Sequence, residues 1–150
     1  MQGFTMLAPY LLDIIDRYEC LLIDAYGVLV DDQRALPGAA EFIAYLHSTS
    51  KPYFIVTNGS SRSVFATANS YQSKGLAISA DQVITSGSLV APFIAKHGWI
   101  DKIFTVLGPT SCRDMLIEDG IRVSGNQNFA DSFGFIIGNE DGFDFVPTIN

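Results

Sequence analysis

The 150-residue sequence is short of the residues that mark several functional classes. It has two cysteines, Cys20 and Cys112, far apart, with no CxxC pair and no histidine beside either, so neither a zinc site nor a disulfide framework is expected. Basic residues are scarce: nine Lys and Arg against sixteen Asp and Glu give a net charge of -7. The few that exist are scattered, which argues against a nucleic-acid surface. No apolar run approaches membrane-spanning length. The N-terminus lacks the basic flank, apolar core and small-residue cleavage site of a secretory leader. The resulting expectation is a protein of the reducing cytoplasm, with no nucleic-acid and no membrane partner. Repeats and low-complexity tracts are absent as well.

What the chain does have is apolar bulk, 48% of residues against 17% charged, enough for a sizeable core. Its organising stretch is Leu21-Leu22-Ile23-Asp24-Ala25-Tyr26-Gly27-Val28-Leu29. Three apolar residues run straight into an acid, which reads as a buried strand with a carboxylate at its carboxyl end. Gly27 lets the backbone turn as it leaves. In an open α/β sheet ligands sit at that edge, so Asp24 is the first candidate for chemistry, although an Asp after an apolar run also serves as a plain turn former.

Elsewhere, strands alternate with helices. Leu7, Leu11, Ile14, Ile15 and Tyr18 share a helical face ahead of the first strand. Residues 30–36 carry Asp31, Asp32, Gln33 and Arg34 and read as an exposed loop or flap. Pro37-Gly38 opens a helix with Ala39, Phe42, Ile43 and Leu46 inward. Tyr53 to Val56 reads as a second buried strand, ending on Thr57-Asn58-Gly59-Ser60-Ser61. A helix from about Arg62 follows, with Val64, Phe65, Ala68 and Tyr71 inward and Lys74-Gly75 as its stop. Val83-Ile84 is a short strand leading into Thr85-Ser86-Gly87-Ser88 and a helix that holds Pro92 in its first turns. Residues 102–107 form a further strand, and Gly108-Pro109 starts a helix with Cys112, Met115 and Leu116 on one face. Ile121 to Val123 and Phe133 to Gly138 supply the last extended pieces. Asn139 to Asp144 is acidic and turn-rich. This alternation predicts a mostly parallel sheet with helices on both faces, a Rossmann-like three-layer α/β/α arrangement.

Two strand ends carry chemistry together if their strands are neighbours. Asp24 supplies a carboxylate; the Thr57 hydroxyl and the backbone N–H groups of Asn58 and Gly59, near a helix start, are the donors that a phosphate needs. The same residues also suit a helix cap. Arg62 is placed to reach a bound phosphate, or to sit as a surface charge. His47 and His97 fall near helix ends, where dipole contact or solvation suits them. Asp31 and Asp32 read as solvated, Trp99 as a packing anchor, and Cys20 and Cys112 as small core residues.

Asp24-x-x-Gly27-Val28-Leu29, then Leu36-Pro37-Gly38-Ala39, then Val56-Thr57-Asn58-Gly59-Ser60, then Ile84-Thr85-Ser86-Gly87 resembles the haloacid dehalogenase-like (HAD) hydrolase superfamily, most closely subfamily IIA, which includes nitrophenyl, nucleotide and pyridoxal phosphate phosphatases. The resemblance covers residues 18–137. It implies Asp24 as a nucleophile that forms an aspartyl-phosphate, a small phosphorylated metabolite as substrate, and magnesium (Mg²⁺) held by Asp24 and the main-chain carbonyl of Tyr26. It also implies phosphate binding by Thr57 and Asn58. Tyr26 stands where most family phosphatases have a second Asp, the general acid and base, and a phenol with an ordinary pKa near ~10 is a poor substitute.

Asp24-Ala25-Tyr26-Gly27 also resembles the metal-independent 2-haloacid dehalogenases. The short interval from Asp24 to Thr57, filled by the flap and one helix, leaves no room for their cap. The family's later Lys and acidic-pair motifs cannot be placed, so the resemblance implies an incomplete core: residues 1–132 as its N-terminal part, and 133–150 as a last strand and the start of a cap domain that is absent. A chain of this kind alone is expected to be inactive, with weak or absent Mg²⁺ binding and a tendency to self-associate through uncovered edges. A non-catalytic fragment or degenerate relative that binds phosphate or a partner is the alternative.

Overall fold

Burial alternates along the first two strands instead of covering them. The computed structural model describes residues 9–125 and 129–139. In it β1 (Leu21–Asp24) pairs in parallel with β2 (Tyr53–Thr57), with Leu22 opposite Phe54, Ile23 opposite Ile55 and Asp24 opposite Val56. Ile23 and Ile55 are buried, whereas Leu22 is 72% exposed and Phe54 and Val56 are partly exposed on the same face. The expectation of two fully buried strands is therefore corrected. A run of apolar residues does not reveal which strand faces are covered, because side chains point to alternate faces whatever their type.

The described strands form two three-stranded sheets, β1-β2-β3 with β3 at Val83–Thr85, and β5-β4-β6 with β4 at Ile103–Leu107, β5 at Arg122–Val123 and β6 at Gly134–Ile137; β1 pairs with β2, and β4 with both β5 and β6, in parallel. The expected α/β class with parallel strands is what the chain adopts. The helices are α1 (Pro9–Ile15), α2 (Ala39–Ser48), α3 (Val64–Ser73), α4 (Val90–Lys96) and α5 (Thr110–Glu118). Two compact units result: one of residues 1–57 and 64–84, the other of residues 58–63 and 85–150. The expected boundary between residues 132 and 133 lies inside the second unit, just before β6.

In the first unit, Ile23, Ile43, Leu46, Ile55, Tyr71, Leu76 and Ile78 form one apolar core. Helix α2 opens at Gly38, whose φ of 86° only glycine adopts without strain, and it buries Ala39, Ile43 and Leu46 as its spacing dictates. Helix α3 buries Thr67, Ala68 and Tyr71, while Phe65 is 69% exposed, against expectation. The inward face is one residue further round than the apolar pattern suggested, because Thr67 takes the buried place. Tyr18, expected on the inward face of the first helix, lies beyond the end of α1 and is exposed. Leu7 falls outside the described residues.

The second unit packs Ile94, Phe104, Met115, Leu116 and Ile121 around β4. Cys112, Met115 and Leu116 are the buried residues of α5, as their shared face predicts. Trp99 anchors an aromatic group with Phe93, His97 and Phe133. Of the acidic stretch expected at residues 139–144, all but Asn139 lies outside the described residues.

Candidate active site

The backbone turns at the end of β1 because one carbonyl gathers the next amides. Ala25 accepts hydrogen bonds from the N–H groups of Leu29 (2.9 Å) and Val30 (3.0 Å), and Gly27, at a φ of 78°, donates to Val30 (2.8 Å). Ala25 and Leu29 are buried, so this hairpin is packed from below. Its upper side carries Asp24 and Tyr26, both exposed. Among the described residues no hydrogen bond reaches the Asp24 carboxylate, and no backbone N–H donates to the Tyr26 carbonyl. Those two oxygens are of the hard type that a magnesium ion takes, so the donors fit part of such a site. A cluster of three or more His, Cys, Asp or Glu suited to a metal is not found among the described residues.

Residues 30–36 were expected to form an exposed loop or a short flap. Val30 is instead buried, and it bridges both Tyr26 and Ala35. The Asp31 carboxylate accepts the N–H groups of Gln33 (2.8 Å) and Arg34 (2.7 Å), and these bonds hold its pKa below the ordinary carboxylate value. Asp32 is not merely solvated: its carboxylate accepts the Tyr26 hydroxyl at 3.3 Å. The negative charge of Asp32, reinforced by that bond, pushes the Tyr26 phenol above its usual value, so Tyr26 is protonated at neutral pH and its proton is directed at the flap.

Thr57, at the end of β2, is half-buried in the same unit as Asp24. Its side chain shares a hydrogen bond with Tyr71 of α3. Burial raises the Tyr71 phenol, the Thr57 bond opposes that rise, and the charge of Asp24 adds to it. Asp24, Thr57 and Tyr71 are thus brought together in the first unit. Sequence reasoning counted Tyr71 only as core, which it is, at 7% exposure. Nothing in the spacing shows that its hydroxyl ends beside the strand tips.

Asn58, Gly59 and Arg62 belong to the second unit, and all three are exposed. There the Ser86 hydroxyl donates to the carbonyls of Asn58 (2.9 Å) and Gly59 (3.2 Å), and the buried Cys112 thiol donates to the Ser60 carbonyl (3.4 Å). These bonds spend carbonyls of the loop. A side chain at Gly87 would come within 2.9 Å of the Ser60 carbonyl, so only glycine fits that approach. Burial raises the Cys112 pKa, which makes it an unreactive core thiol, as expected. Cys20 is exposed rather than buried, contrary to its reading as a core residue.

A family model described as "Haloacid dehalogenase-like hydrolase" matches residues 21–122. An acid sugar phosphatase of Staphylococcus saprophyticus is 31% identical over 105 residues, which is 70% of this chain and 40% of that protein. A solved structure from Cytophaga hutchinsonii, described as "possible sugar phosphatase, HAD superfamily", matches with a TM-score of 0.76 at 30% identity, over 91% of this chain and 50% of that one. A glycerol phosphate phosphatase of Mycobacterium tuberculosis, solved with magnesium, shares the fold at a TM-score of 0.70 and 20% identity, over 89% of this chain and 40% of the other. The chain thus spans half or less of the length of these relatives.

Proposed function

Because the chain belongs to the haloacid dehalogenase-like hydrolases, we propose that it carries the nucleophile half of a phosphatase for a small phosphorylated metabolite. The observation that carries this reading is the Asp24 carboxylate, exposed at the end of β1 with no hydrogen bond from the described residues, in one unit with the Thr57 hydroxyl. An Asp used as a turn former or helix cap would spend its oxygens on nearby amides, as Asp31 does. Asp24 keeps them for a substrate.

In the proposed reaction an Asp24 oxygen attacks phosphorus, the bond to the leaving oxygen breaks, and water then attacks the aspartyl-phosphate to release phosphate and restore the carboxylate. Thr57 donates its hydroxyl to a phosphoryl oxygen, and the N–H groups of Asn58 and Gly59 serve the same anion, with Arg62 as a further contact. Tyr26 stands in the acid-base position: its phenolic proton, given to Asp32 in the free chain, would pass to the leaving oxygen and be restored from the attacking water. The Asp24 carboxylate and the Tyr26 carbonyl would hold Mg²⁺, which supplies charge neutralisation when bound. The sugar phosphatase names of the relatives favour a phosphorylated sugar as the metabolite. Residues 1–132 are assigned to the hydrolase core and 133–150 to its last strand and the approach to a cap. The cytoplasm is the proposed compartment; among the described residues no helix is long and apolar enough to cross a membrane.

Hydrolysis of 4-nitrophenyl phosphate with Mg²⁺, by this chain and by a form extended through any downstream reading frame, tests the proposal. Activity in the extended form that falls at least ~1,000-fold in Asp24→Asn supports it. Hydrolysis that survives Asp24→Asn overturns it. Phosphate binding without turnover in either form would favour the non-catalytic reading, to which Tyr26 in the acid-base position lends weight.

A further inference from the structure

We propose that Lys74 is a positioning residue for Tyr26, acting through the flap, a role that rests on Tyr26 belonging to the proposed catalytic site. Lys74 follows the last turn of α3, where Gly75, at a φ of 88°, ends the helix. Its ammonium donates to the carbonyls of Asp31 (2.7 Å) and Asp32 (2.8 Å), across 43 and 42 residues of sequence. Successive carbonyls of an extended chain point apart, so one ammonium meets both only where the flap bends. The bend is braced from within by the Asp31 carboxylate on the amides of Gln33 and Arg34, by the Asp31 N–H on the Arg34 carbonyl (3.0 Å), and by buried Val30. Lys74 adds the tie from this small loop to α3. The exposed Arg34–Asp31 ion pair at 3.6 Å adds little.

The clamp matters for what the flap presents. Asp32 lies between Lys74, which holds its carbonyl, and Tyr26, whose hydroxyl its carboxylate accepts. Tyr26 is 62% exposed, so packing does little to choose its rotamer, and the bond to Asp32 is the interaction that does. The chain of contacts from α3 through the flap to the residue two after Asp24 therefore fixes where the phenol stands. A charge at a half-buried ammonium satisfied by two carbonyls is a stronger tie than a surface ion pair.

Tyr26 side-chain couplings, measured by NMR on the labelled chain, report its χ1 populations without any turnover. Wild type gives one dominant rotamer. In Lys74→Met and in Asp32→Ala its population falls about twofold while the melting curve shows a folded protein, Lys74→Arg restores it, and Lys74→Met with Asp32→Ala goes no further than Asp32→Ala alone. Lys74→Gln, which keeps a donor but no charge, gives an intermediate value and keeps the series readable where the Met variant does not fold. A Tyr26 rotamer indifferent to Lys74, or effects of Lys74 and Asp32 that add, overturns the proposal. Phosphatase activity independent of Asp24 would remove the catalytic reading while these populations still report the clamp, so the two fail separately.

Discussion

Two strands, each with a parallel neighbour in its own sheet, end differently. Beyond β1 the carboxylate of Asp24 stays exposed and takes no hydrogen bond from the described residues, while beyond β4 the chain is closed by its own backbone. The Leu107 carbonyl accepts the Gly138 N–H at 2.8 Å, Leu107 and Cys112 are buried, and a side chain at Gly138 would meet the Cys112 sulfur at 2.6 Å. Both exits precede helices in one α/β chain. A strand end becomes a site only where the exit loop leaves polar groups unspent. At β1 the Ala25 carbonyl and the flap satisfy the turn without using Asp24; at β4, Gly108-Pro109 carries no acid and the last strand carbonyl is taken by the Gly138 N–H.

Several measurements sharpen or break that contrast. The largest effect expected is in thiol labelling at neutral pH: exposed Cys20 reacts at the rate of a free thiol, and Cys112, at the β4 exit, at least ~1,000-fold more slowly, since it must wait for opening. Comparable rates would show that the β4 exit is open. Next, Gly138→Ala should destabilise the chain by about 1–3 kcal/mol in a urea melt by forcing a methyl against Cys112, while Asp24→Asn stays within about 0.5 kcal/mol. An Asp24→Asn cost as large as that of Gly138→Ala would mean that Asp24 is structural.

Tyr71→Phe is expected to cost about 0.5–1.5 kcal/mol through the lost bond to Thr57. It should also weaken the pH dependence at the alkaline end. Burial raises the folded-state pKa of Tyr71 above its unfolded value, so its contribution is intact below the ordinary phenol pKa and is lost as pH rises through the folded one. Wild type should therefore lose stability more steeply than the Phe variant in that range. The smallest effect lies in the flap. Asp31 has a lowered pKa, so protection of the Gln33 and Arg34 amides should persist through the usual carboxylate range and fade only as pH falls below it. Hydrogen exchange read by NMR checks this, and Asp31→Asn should remove the pH dependence.

Much of this was legible in order and type. The acid at the end of β1, the polar exit of β2, the glycine start at Gly38, the glycine stop at Gly75 and the shared face of Cys112, Met115 and Leu116 all follow from spacing and residue chemistry. Four short motifs in sequence identified the family, and the match over residues 21–122 bears that out. Less legible was which side of each element is covered. Phe65 and Leu22 are as apolar as their buried neighbours, yet both are exposed, because coverage depends on what packs there.

The roles of Asp32, Lys74 and Tyr71 escaped the sequence reading for a different reason. Asp32 resembles any flap acid, Lys74 any residue at a helix end and Tyr71 any core aromatic. Only the fold brings the Lys74 ammonium to the flap across more than forty residues and sets the Tyr71 hydroxyl against Thr57. Local chemistry determined where the strands end and that one ends on an acid, since propensity and turn geometry act over a few residues. Tertiary structure decided which polar groups each exit spends and which it keeps, since hydrogen bonds between distant segments depend on how the chain returns.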